Sequence, residues 1–239
     1  PALPRSGSRV LVERERIPQL EPYAVIFPYI RMGRSVTGFT LNQTKGKFGP
    51  FENQMFMGDY TLSLVMRATT EQVNGIWQGA CYPFREGLST GILNAQFTPQ
   101  GHLLCGGTNR GWPVRGLKPF EIERITITPK GFHLAFTKAV DARTGNDPAS
   151  YALSTFTHEY HAGYGGPEIE VTTPKVLAAR LSDDGLTADL ELDLLLKGHV
   201  HAFDLAALRS RDHDELLHRH AYYTVNEVPK EPSGSVKPR

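Results

Sequence analysis

Leu62-Ser-Leu-Val-Met66, followed by Asn74-Gly75 and then Ile76-Trp-Gln-Gly-Ala-Cys81, sets the pattern from which the fold is read. A short β-like run, a turn and a second β-like run follow one another. The same rhythm continues on both sides. Ala24-Val-Ile-Phe27 and Gln54-Met-Phe-Met57 precede it, and Gly91-Ile-Leu-Asn-Ala-Gln-Phe97 and His102-Leu-Leu-Cys105 follow. The connections at Gly46 to Pro50, Pro99-Gln-Gly101 and Gly106-Gly-Thr-Asn-Arg-Gly111 are rich in glycine and turn formers. Short strands at this spacing mark a sandwich, a barrel or a propeller.

The second half repeats the style. Phe120 to Ile127, Gly131 to Phe136, Tyr151 to Thr157, Val176 to Leu181, Thr187 to Asp193, His199 to Asp204 and Tyr222 to Val225 read as strands. About seven strands in roughly 110 residues is the count of an immunoglobulin-like sandwich. Helix is expected only at Asp147 to Ser150 and Leu205 to Leu217. The predicted organisation is an extended lead-in at 1–22, a β unit at 23–117, a sandwich at 118–228 and a disordered tail at 229–239. The boundary falls near Arg115 to Pro119.

Composition agrees with an all-β chain. Its 239 residues contain 23 Gly and 17 Pro and are 40% hydrophobic, enough to bury a core while turning often. No apolar run approaches the roughly 18 to 20 residues that cross a bilayer, and no membrane span is expected. The net charge of +1 divides unevenly. Residues 1–117 carry 12 Lys/Arg against 7 Asp/Glu and the remainder 14 against 18, with the basic residues scattered. Scattered cations do not make a nucleic-acid footprint, and no nucleic-acid partner is expected. The start, Pro1-Ala-Leu-Pro-Arg5, reads as a processed or excised segment of something longer. Cys81 and Cys105 lie in two β-like runs; a bridge between neighbouring strands and two buried free thiols both fit. No Cys-x-x-Cys-His string is present for covalent haem.

Two groups of residues carry candidate chemistry. Asp59, Arg85, Glu86, Asn109, Arg110 and Trp112 fall at glycine-flanked turns, where loops on a rigid scaffold place ligand contacts. As a substrate-binding set, Trp112 would stack on a sugar face while Asn109 and Arg110 bond its hydroxyls. As a structural set, Arg85 and Glu86 would pair with each other or with Asp59. The second group is histidine: eight of the nine follow position 130. His199 and His201 are two apart, so a strand puts both imidazoles on one face, where with His161 they could hold a metal. The alternative is a solvated face or bonds to nearby carboxylates. Neither a nucleophile elbow nor a phosphate loop occurs, and no catalytic residue is assigned.

Longer strings add a family. Lys47-Phe-Gly-Pro-Phe51, Met57-Gly-Asp-Tyr60, the run Val73 to Gly87, Gly106-Gly-Thr-Asn-Arg-Gly-Trp112, Tyr160 to Glu168 and Gly198-His-Val-His201 resemble the closing part of large bacterial proteins. Those proteins are similar to pyrroloquinoline-quinone (PQQ)-dependent sugar dehydrogenases of the glucose/sorbosone type, often fused to cytochrome c modules. The resemblance covers about residues 23 to 228. It implies one or more terminal β-propeller blades, or a small β unit, followed by an immunoglobulin-like sandwich, in a periplasmic or secreted protein. It also implies hydride transfer from a sugar or polyol C–OH to a quinone in the intact protein, with electrons passed to haem c on a partner module. PQQ and calcium would belong to that intact protein, and the remaining blades or a second chain would be partners. In the family the general base, the quinone-contacting cations and the calcium ligands come mostly from earlier blades, and no position here matches them. The competing reading is a non-catalytic carbohydrate- or protein-binding module acting through Trp112.

Overall fold

The computed structural model describes residues 21–88, 90–107, 112–114 (backbone only), 119–158 and 165–231. The expected tail lies outside them except for its first residues, as does the lead-in before residue 21. The chain is nearly all β, as the alternation predicts. Its antiparallel sheets stay open, and among the described residues neither a barrel nor a propeller closes.

The first strands form a meander: β1 (Val36–Leu41), β2 (Met55–Asp59), β3 (Leu64–Val73) and β4 (Ile76–Arg85). The β3–β4 hairpin is set by Asn74 and Gly75, both at positive φ (51° and 84°), with Val73 paired directly to Ile76. Two left-handed residues match the natural strand twist, and Asn-Gly adopts them at little cost.

The meander does not end as a separate blade. β4 pairs with β15 (His220–Val225), aligning Cys81 with Tyr222 and Gly79 with Thr224. Beyond β15 lie β14 (His199–Asp204), β10 (Ala152–His158) and β11 (Glu168–Thr172), completing an eight-stranded sheet. That sheet therefore runs across the boundary predicted near residues 115–119. A second sheet, in the order β12 (Val176–Leu181), β13 (Thr187–Leu192), β9 (Gly131–Phe136), β8 (Ile122–Thr128), packs on one of its faces. Between them Ile125, Phe132, Leu134, Leu190, Phe203 and Tyr223 are buried with Ala80 and Tyr82 from β4. One layer of the sandwich thus takes strands from both halves of the chain.

A third, smaller sheet, β5 (Ile92–Phe97), β6 (Leu103–Gly107) and β7 (Trp112–Val114), covers the far end of the meander. Its core is aromatic. Phe48, Phe56, Phe84 and Phe97 meet mostly edge-on, with centroids 4.8 to 5.7 Å apart. Such pairs each add about 1 kcal/mol to the burial itself.

Residues 23–33 cross the other face of the large sheet as a strap, burying Met32 and covering Met57, Met66, Cys81 and Val200. Ala24 to Phe27, expected as a strand, joins no ladder. Its backbone bonds go to side chains instead: Ile26 N–H donates to Thr224 Oγ1 at 2.8 Å, and the Ile26 carbonyl accepts from the Cys81 thiol at 3.5 Å. The helix expected at Leu205 to Leu217 is also absent. Leu205, Leu208 and Leu216 are buried, but in irregular turns tied by Ser210 and Asp214. The segment at Asp147 to Ser150 forms one 3-10 turn capped by Asp147.

Candidate functional site

Asp59 ends β2 with its side chain fully buried. One carboxylate oxygen accepts the N–H groups of Arg34 (2.8 Å) and Ser35 (2.7 Å), and the other accepts that of Leu62 (2.7 Å). The carboxylate is thereby committed to holding the entry to β1 and the β2–β3 turn. Arg85, at the end of β4, lays its guanidinium over the Phe84 ring at 5.2 Å and donates to the Phe84 carbonyl. The expected pairing of Arg85 with Asp59 or Glu86 does not form, because backbone donors take the Asp59 oxygens. Glu86 is exposed in the connection after β4. Trp112 begins β7, in register with Cys105, so it belongs to a strand and not to a free turn. Asn109, Arg110 and His161 lie outside the described residues.

His199 and His201 share a face of β14 as their spacing predicts, but they have different surroundings. His199 Nε2 lies 3.1 Å from Glu170, and its Nδ1 lies 3.0 Å from the carbonyl of Lys197. His201 is completely buried against the Phe132 ring, with centroids 5.4 Å apart. Its Nε2 accepts the N–H of Leu196 at 3.4 Å, and Nδ1 has no hydrogen-bond partner. Burial, the largest influence, depresses the His201 pKa to about 4, the His199 backbone partly opposing it. A neutral imidazole in a dry core is a packing residue. Among the described residues no three His, Cys, Asp or Glu side chains converge on a metal-sized point.

Both cysteines are free. Cys81 is under the strap and Cys105 under the three-stranded sheet, in separate cores.

A polar concavity lies where none of the candidates was placed. On the strap side of the large sheet, the register sets Ala202 between Ser154 and Tyr222, and Asp204 between Ala152 and His220. Three small side chains leave a trough of about 450 Å³. Arg31, from the end of the strap, forms one wall. Its guanidinium stands 5.3 Å over Phe156 and bonds Glu168 at 2.7 Å. Arg31 follows Ile30, whose φ of 67° is left-handed. A β-branched residue there is strained and persists only where its surroundings impose it. On the opposite wall Asp204 accepts the Ala206 N–H and lies 3.4 Å from Arg219, which donates from Nε to His220 Nε2 at 3.1 Å. The sequence signal for this trough is the small-polar alternation Ser154, Ala202, Asp204. It becomes visible only once β10, β14 and β15 are known to be neighbours.

Comparison with protein-family models, curated proteins and solved structures gives no match for this chain.

Proposed function

We propose that the chain is the non-catalytic, C-terminal portion of a larger periplasmic or secreted protein of the sugar- or polyol-dehydrogenase type, which docks the rest of that protein and helps shape its substrate pocket. The observation that carries this reading is the outer side of β1 in the large sheet, with which no strand pairs among the described residues. Phe39 is 71% exposed and Leu41 is exposed beside it, opposite Met57 and Met55, so an apolar face continues to the edge strand. Long exposed edges of this kind invite another strand, and isolated proteins usually blunt them with charge, proline or a bulge. A bulge is present between Val36 and Phe39, but Phe39 and Leu41 lie beyond it. The strings from Lys47 to Gly87 supply the family, and the committed Asp59 carboxylate favours a supporting role over an acid-base one.

Dye reduction by the intact protein loaded with PQQ and calcium, across a panel of sugars and polyols, tests the reading. Phe39→Lys should lower turnover while leaving this chain's own melting temperature unchanged. Absence of dye reduction with every substrate would remove the dehydrogenase assignment. Full turnover by this chain alone would remove the non-catalytic role.

A further inference from the structure

We infer that the trough over Ala202 is a binding site for a small, uncharged, hydroxyl-rich ligand of pyranose or cyclitol size. The site is separate from the β1 edge and does not depend on the role proposed for that edge.

The floor is made by the side chains of Ala152 and Ala202, so ligand C–H groups can rest on methyls near the sheet backbone. The walls are polar and already fixed. Glu168 and the Tyr222 side chain both engage Arg31, which fixes its guanidinium at the wall. Ala206 N–H and Arg219 both meet one oxygen of Asp204, so the second oxygen is left to accept. Arg219 donates to His220 Nε2, which in the neutral ring places the remaining proton on Nδ1 as a donor. Tyr222, whose hydroxyl accepts from Arg31, is left to donate, and Ser154 adds a hydroxyl that donates or accepts. Both donors and acceptors thus stand around a methyl floor, a mixture that suits the C–H and O–H groups of a sugar or cyclitol ring.

The charge pattern argues for a neutral ligand. Each wall pairs a cation with an anion, Arg31 with Glu168 and Arg219 with Asp204, at 2.7 and 3.4 Å. An anion meets a carboxylate at either wall, and a cation meets a guanidinium. Hydroxyls share the lone pairs and protons that these pairs leave over, without displacing a partner. Fixed side chains also lose little freedom on binding, and the strained turn at Ile30 is a local cost that presents Arg31 at the rim. A trough of about 450 Å³ lies within the usual range for small-molecule sites.

The test is a titration of the full chain followed by amide NMR, with D-glucose, D-mannose and myo-inositol as probes and glucuronate and choline as the anionic and cationic controls. The inference expects saturable shifts at the amides of Ser154, Ala202 and His220 with at least one neutral probe and weaker shifts with both controls. Asp204→Asn should weaken binding about tenfold, the worth of one charge-assisted hydrogen bond. Ala202→Leu, which fills the floor, should abolish the shifts. If Ala202→Leu does not fold, Asp204→Asn with unchanged melting carries the test. Absence of saturable shifts with all three neutral probes overturns the inference. So does preferential binding of a charged control, or unaltered affinity in Asp204→Asn.

Discussion

The carboxylate of Glu71 on β3 accepts the backbone N–H of Ile127 on β8 at 2.8 Å, a side chain standing where a neighbouring strand would be. β8 is one of the two edge strands of the four-stranded sheet, and the large sheet meets it with side-chain partners. The Tyr82 hydroxyl accepts the Ile125 N–H at 2.7 Å. Arg67, wholly buried between Tyr82 and Phe51, donates to the carbonyls of Ile122 and Glu123. Arg67→Ala takes the donor from the Ile122 carbonyl and from Gln54 Oε1, while the Glu123 carbonyl keeps Gln54 Nε2, and it opens a cavity, so it should cost at least about 3 kcal/mol. Urea denaturation at an unchanged m-value measures this. A loss below about 1 kcal/mol would show that water replaces the guanidinium at the seam.

Asp59 should behave as a structural residue. Asp59→Ala removes the acceptor of three backbone N–H groups at once. A loss of about 2 to 3 kcal/mol is expected, with hydrogen exchange at Arg34, Ser35 and Leu62 accelerated ahead of the rest. Unchanged exchange at those three amides would contradict the assignment.

Acid should weaken the sandwich through His201. Its folded pKa of about 4 lies below the unfolded value of 6.5, so between these limits the unfolded chain holds more protons. Stability is therefore full above pH 6.5 and falls as pH drops toward 4, by on the order of 3 kcal/mol. Protonation also deprives the Leu196 N–H of its acceptor. His201→Phe should flatten the melting temperature between pH 6.5 and 4.5. Below that window Asp184, Asp214 and Glu227, whose hydrogen-bond partners lower their pKa values, lose their contribution as they protonate. A variant that melts with the wild-type pH dependence would place the acid-sensitive group elsewhere.

The two thiols should be silent in the folded protein. Burial raises the pKa of Cys105 to about 11 and that of Cys81 further, and the thiolate is the reactive form. A disulfide reagent should titrate neither under native conditions and both in guanidinium. One fast native thiol would contradict the packing around it.

Much of the fold was legible because it is local. β9, β12 and β14 coincide with the runs read from residue alternation, and the β3–β4 turn follows from Asn74-Gly75. β1 was missed because Val-Thr-Gly-Phe-Thr-Leu is exposed, interrupted by glycine and partnered on one side only. β11 was missed for a similar reason: it is an edge strand, broken by Glu170 at positive φ. The Leu205 to Leu217 segment misled because buried leucines at near-helical spacing also arise in turns over a core. The trough and the β8 seam depend on pairs such as Ala202–Ser154 and Glu71–Ile127, far apart in sequence. Strand period says which face a residue takes but not which strand lies beside it.

β15, the strand latest in chain order, sits between β4 and β14 in the middle of the large sheet. During synthesis the meander therefore waits with β4 as an open margin until more than 130 further residues have emerged. The seam that joins the meander to the rest of the sandwich depends on contacts of that span, which predicts slow, late-closing folding and a nascent chain exposed to wrong strand partners in the interval.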